Sequence, residues 1–135
     1  MSAFRFTLPL SVDEKDLNAG GHVSYDRYFV FFQEACFAYL AMFGLRFDGM
    51  DDLNLIAAEA RCSYKKELMC GDRIAVSCRV RGIRAKSFEM QYRIHRGDAL
   101  CAEGAVTFLC FDYARRRVAE FPERLIRSLR DYEGI

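Results

Sequence analysis

Apolar and polar residues alternate over most of this chain, and where the alternation stops the chain becomes apolar on nearly every side. Phe4, Phe6, Leu8, Leu10 and Val12 alternate with more polar positions. That is the period of a half-buried strand, so a first strand is predicted over 4–12. Pro9 has no N–H to give to a ladder, which puts this strand at a sheet edge or at a bulge. Residues 13–22, DEKDLNAGGH, are charged and then glycine-containing, and read as loop. The pattern then predicts one long helix from Ser24 to Phe43. Ser24 is its N-cap, Asp26 lies in the first turn where the dipole favours an anion, and Gly44 stands just past the end. Tyr28, Phe29, Val30, Phe31, Phe32, Ala35, Cys36, Phe37, Ala38, Tyr39, Leu40, Met42 and Phe43 leave this helix little polar face. A helix apolar all round is a buried helix.

Strict alternation resumes at Ile56. Ile56, Ala58, Ala60, Cys62 and Tyr64 face away from Glu59, Arg61, Ser63 and Lys65. Ile74 to Val80, Phe88 to Ile94 and Leu100 to Cys110 repeat the pattern, with Gly71-Asp72 and Gly97-Asp98 as turns. Such runs predict an antiparallel meander with one buried face. Arg115-Arg116-Arg117 marks a further turn, and Pro122 starts a terminal amphipathic helix through Tyr132. The economical packing is a single α+β domain over 1–135, one curved antiparallel sheet wrapped around one long central helix.

Composition narrows the function. The 135 residues are 52% hydrophobic, with 12 Phe and 7 Tyr, which excludes a disordered chain. A net charge of +1 gives no global field toward nucleic acid or a membrane surface. The longest apolar stretch, 28–43, is interrupted by Gln33 and Glu34 and does not read as a membrane span. The six cysteines form no CxxC and no zinc spacing with histidine, so no metal site is expected. The opening MSAFRFTLPL lacks a basic region leading into a long apolar run. Reduced thiols and a cytoplasmic location are therefore expected.

Chemistry concentrates in Asp13 to Tyr28, DEKDLNAGGHVSYDRY, a polar loop feeding a buried helix. A helix start exposes unpaired N–H groups and partial positive charge. With Ser24 capping, the Tyr25 N–H stays free to polarise a carbonyl and hold the oxyanion formed on attack. Gly20 and Gly21 let a ligand approach the backbone closely. On the residues alone, an ordinary loop entering a core helix is the favoured reading.

The segment VDEKDLNAGGHVSYDRYFVFFQEACFAYL resembles the signature of the 4-hydroxybenzoyl-CoA thioesterase family of hotdog proteins, through Gly20-Gly21-His22-Val23, Tyr28 and Phe32-Gln33-Glu34-Ala35. Tyr64 followed by Gly71-Asp72 resembles the family's second strand and the turn after it. The resemblance covers nearly the whole chain. It implies a hotdog fold, hydrolysis of an acyl-CoA or acyl-carrier-protein thioester to acid and thiol, no cofactor beyond the CoA of the substrate, and a homodimer or homotetramer. The family's catalytic aspartate falls four residues before His22, where this chain has Asn18. Asn18 can hydrogen-bond a water or the thioester but is neither nucleophile nor base. Asp16, Asp26 and Glu34 are the nearest acids that could substitute. His22 is a base or an organiser of the turn. Glu34 either points at an interface or is a buried acid. Gly20, Gly21, Val23 and Tyr28 are candidate substrate-binding residues. Lys65, Lys66, Arg115, Arg116 and Arg117 either hold the CoA phosphates or are solvated charge. Asn18 also leaves open a non-catalytic acyl-CoA binder on the same fold. A hotdog hydratase or dehydratase is the other alternative, with His22 and Asp16 or Asp26 as its acid–base pair.

Overall fold

The computed structural model describes residues 3–44 and 53–135. Its strands are β1 (Phe6–Ser11), β2 (Leu53–Tyr64), β3 (Arg73–Arg81), β4 (Ser87–Arg96), β5 (Ala99–Asp112) and β6 (Arg117–Val118). Its helices are α1 (Arg27–Ala41) and α2 (Glu123–Glu133), with a short 3₁₀ turn at Glu14–Asp16. The six strands form one antiparallel sheet in the order β1-β3-β4-β5-β2, and β6 pairs with the end of β5.

Only β3-β4-β5 is a meander. The expectation of four sequential neighbours fails at β2, which pairs with β5 instead of β3. Two long strands match in length there, and residues 65–72 return the chain across the ends of β5 and β4. Lys65 and Lys66 give their N–H groups to Cys101 O on β5, at 2.8 and 3.0 Å, and Arg96 at the end of β4 donates to Glu67 O at 2.8 Å. Among the described residues β1 pairs only with β3, so Pro9 sits on an edge strand as its missing N–H requires.

Period two puts Ile74, Val76, Cys78 and Val80 of β3 and Phe88, Met90, Tyr92 and Ile94 of β4 on one buried face. α1 lays Phe31, Phe32, Ala35, Cys36, Tyr39 and Leu40 into that face. Phe32 stacks on Tyr92 with ring centroids 4.4 Å apart and planes 8° from parallel. Gly104 of β5 makes this approach possible. A Cβ there would lie 2.8 Å from the Phe32 ring and 2.3 Å from Arg61 O.

The start of α1 and its burial both differ from the sequence expectation. The helix starts at Arg27, with Ser24 outside it and Asp26 at the N-cap without a side-chain cap bond. The Ser24 hydroxyl donates to the Asp26 carboxylate instead. α1 is also not buried on every side: Gln33, Glu34 and Phe37 are exposed. The sheet covers one face of the helix, and an apolar groove runs along the other toward β2.

Candidate active site

Loop 16–24 is a tight turn pinned at both ends. Asn18 N–H donates to His22 O at 2.8 Å, Gly21 N–H to Asn18 O at 3.1 Å, and Ser24 N–H to Asp16 O at 3.0 Å. The Asn18 side-chain oxygen closes it from inside, accepting from Gly20 N–H at 2.9 Å and His22 N–H at 3.4 Å. This is the asparagine turn chemistry of a short polar side chain mimicking backbone. Gly21 has φ +78, a left-handed conformation that glycine adopts without strain. The turn docks on the connection after β2: Val23 N–H donates to Leu68 O at 3.1 Å, and His22 bridges to Met69.

Asp16 anchors the turn to the helix. It is 2% exposed, and its carboxylate takes Arg27 Nε at 2.8 Å, an Arg27 terminal nitrogen at 2.6 Å and Asp13 N–H at 2.9 Å. Both Arg27 nitrogens close on one carboxylate oxygen and the Asp13 N–H on the other, so Asp16 is placed as a structural brace and not as an acid facing substrate. Asp26 is exposed, and the Ser24 hydroxyl holds its carboxyl below the usual carboxylate range. Glu34 is exposed too, well along the helix, so the buried-acid alternative for it does not hold.

A cleft of about 350 Å³ opens where the turn, the start of α1 and the end of β2 meet. Asn18, Val23, Tyr25, Tyr28, Tyr64, Lys65, Lys66 and Glu67 line it. Tyr25 N–H has no hydrogen-bond partner among the described residues, while Tyr25 O accepts from Tyr64 Oη at 2.9 Å. Tyr28 packs edge-on against Tyr64 at 4.8 Å. Burial pushes the Tyr28 phenol up, and burial with nearby Cys62 pushes Tyr64 up to about 12, so both remain protonated donors at neutral pH.

The structure thus gathers Asn18, Val23, Tyr25, Tyr28, Lys65 and Lys66 around one cleft, with Gly20, Gly21 and His22 in the adjoining turn. It does not bring Arg115, Arg116 or Arg117 there. Arg115 and Arg116 lie in the β5–β6 turn and Arg117 opens β6; Arg115 pairs with Asp112, and Arg116 lies over the rings of Phe111 and Tyr113. Tyr64 and Glu67 are cleft residues that sequence reasoning did not single out for the site. Tyr64 ends an alternating strand, and Glu67 lies in an irregular connection, so neither carried a local signal.

Next along α1 and β2 lies a second depression of about 470 Å³, lined by Phe29, Phe32, Gln33, Phe37, Leu55, Ala60, Tyr92, Val106 and Phe108 among others. Among the described residues no helix is long and apolar enough to cross a membrane. All six cysteines are free thiols.

The architecture and its loop-to-helix cleft define the class as a hotdog-type α+β protein. Residues 12–129 match the family model described as the thioesterase-like superfamily, and the chain belongs to that superfamily. It is 28% identical over 113 residues to a 1,4-dihydroxy-2-naphthoyl-CoA hydrolase of Microcystis aeruginosa, 82% of each chain being covered. A 1,4-dihydroxy-2-naphthoyl-CoA thioesterase from Synechocystis has the same fold, with a TM-score of 0.85 and 22% identity over 93% of this chain and 96% of that one. So does a hypothetical protein of Staphylococcus aureus characterised in complex with CoA, with a TM-score of 0.88 and 20% identity over 96% of this chain and 84% of the other.

Proposed function

We propose that this protein hydrolyses an acyl-CoA thioester to the free acid and CoA, with no cofactor of its own. The observation that carries the reading is the unpartnered N–H of Tyr25, a cleft residue in the turn just before α1, in a member of the thioesterase-like superfamily. A donor fixed in the turn that leads into α1 is already oriented when negative charge develops on the thioester oxygen, so it costs no reorganisation at that moment. The acyl group lies along the apolar groove, whose aromatic lining of Phe29, Phe32, Phe37, Tyr92 and Phe108 suits an aromatic acid. Lys65 and Lys66 stand at the cleft where the CoA phosphates would leave it. A carrier-protein thioester would present the same carbonyl. Free thiols fit a cytoplasmic location.

The test is thiol release from a panel of aromatic and aliphatic acyl-CoAs and acyl-carrier-protein thioesters, with binding and enoyl-CoA hydration followed in parallel. Release from an acyl-CoA is expected. Tight binding without release would overturn hydrolysis in favour of the acyl-CoA binder, a reading that Asn18 supports because it supplies no base. Hydration without thiol release would point to the hydratase.

The same reading includes a homo-oligomer. β2 is a 12-residue strand with one neighbour, β5, and its outer edge is unpaired among the described residues. Such an edge templates pairing with another strand, and a second copy laid on it would also wall the groove. Light scattering is expected to give a dimer or larger at micromolar concentration. A monomer would remove the partner wall from the proposal.

A further inference from the structure

The proposed hydrolysis needs a proton acceptor, and Asn18 does not supply one. We propose that His22 is the acid–base group of this site, with Glu67 as its positioning residue; the inference rests on the thioesterase reading above. Nδ1 of His22 is buried and lies 2.6 Å from Glu67 Oε2. The carboxylate sits off the line of the ring N–H, so the two groups are in close contact without an aligned hydrogen bond, and Nδ1 has no other partner among the described residues. A carboxylate at that distance favours the proton on Nδ1, which leaves Nε2 as the basic nitrogen. The other edge of the ring faces the turn. A Cβ built on Gly20 would stand 3.4 Å from His22 Cδ2 and 3.4 Å from the Asn18 amide oxygen, so the imidazole and the Asn18 amide lie side by side over Gly20, in the turn that adjoins the cleft. Asn18 and Glu67 both line that cleft, as does Tyr25.

The rival acids are committed elsewhere. Asp16 is buried in its pair with Arg27, and the Asp26 carboxylate is engaged by the Ser24 hydroxyl. Water, oriented by Asn18, gives a proton to His22 Nε2 as its oxygen bonds to the thioester carbon. The electron pair of the C=O bond moves to the oxygen held by Tyr25 N–H. Collapse of that intermediate breaks the C–S bond, and the imidazolium returns the proton to the departing thiolate. Acid and thiol leave, His22 is regenerated, and Glu67 steadies the cation in between.

The experiment compares wild type, His22→Ala, His22→Gln and Glu67→Gln on the acyl-CoA that the wild type turns over best, with thermal unfolding as a check on folding. His22→Ala is expected to lose about 100- to 10,000-fold in kcat with KM little changed. Free imidazole should restore part of that loss in His22→Ala and none in the His22→Gln variant, whose amide fills the space. Glu67→Gln should lose about tenfold or more in kcat, less than His22→Ala, with KM again little changed. A folded His22→Ala enzyme with wild-type kcat, a loss that imidazole does not rescue, or a Glu67→Gln loss larger than that of His22→Ala would each overturn the role of His22 while leaving hydrolysis intact. The last outcome would make Glu67 the base. A wild type that releases no thiol from any acyl-CoA overturns both proposals together.

Discussion

Glu133→Ala is expected to destabilise the fold by about 3–5 kcal/mol, the scale for removing one member of a buried ion pair. The Glu133 side chain is 1% exposed although it lies in the last turn of the chain's last helix. One carboxylate oxygen accepts from Tyr39 Oη at 2.5 Å and Val80 N–H at 3.0 Å, and the other from Arg81 at 3.1 Å. Three elements, α1, β3 and α2, therefore close on one anion. Truncation leaves a buried phenol and a buried N–H without an acceptor and a guanidinium without its counter-ion, and each such group carries a desolvation penalty of about 1–3 kcal/mol. Burial and the hydrogen bond to Glu133 push the Tyr39 phenol up, so it stays a donor throughout the working pH range. Glu133→Gln keeps an acceptor for Val80 but gives up the charge, and should fall between wild type and Glu133→Ala. Urea unfolding reads this as a lowered midpoint at unchanged slope. A loss below about 1 kcal/mol would mean that α2 closes the fold through Leu125 and Leu129 alone.

This lock was invisible in the sequence because Glu133 falls one residue past the predicted end of the terminal helix at Tyr132, where a charge is expected to be solvated. β3 and β4, by contrast, were legible almost residue by residue, since period two survives in both, whereas in β5 the buried residues come in pairs, Cys101-Ala102 and Ala105-Val106. The order of the strands was not legible. Alternation says which residues share a face and nothing about which strands are neighbours, so β2 was placed beside β3 when length and the path of residues 65–72 take it to β5. The helix was legible, but its start was not. Ser24 has the chemistry of a cap, and Asp26 two residues on competes for the same hydroxyl and wins. At the site, the turn residues and the start of α1 were legible because they are contiguous. Glu67 became visible only when the fold laid the β2–β3 connection against His22. The arginine triplet failed for the converse reason, that charge clustered in sequence is no guide to where the chain carries it.

Replacing Asn18 by alanine should lower kcat by about 100- to 1,000-fold, the usual result of deleting one group that positions or polarises the reacting atoms. The side chain does two things that alanine cannot. Its oxygen holds the N–H groups of Gly20 and His22, which fixes the turn and carries the imidazole with it. Its amide lies in the cleft lining, with donors left over for a water or the thioester. Asn18→Asp separates these roles. A carboxylate can accept from the same two N–H groups with charge-assisted strength, so the turn survives, and it adds a base where the family pattern has one. Activity should be kept or raised. Steady-state kinetics on the three proteins, with acyl-CoA binding measured beside them, decides among three pictures. A large fall in Asn18→Ala with activity kept in Asn18→Asp puts Asn18 at the reacting centre. A wild type that binds without turnover, and gains turnover in Asn18→Asp, is a binder built on the enzyme fold. Unchanged hydrolysis in both variants places the chemistry elsewhere, and the correspondence of Asn18 with the family's aspartate is then wrong.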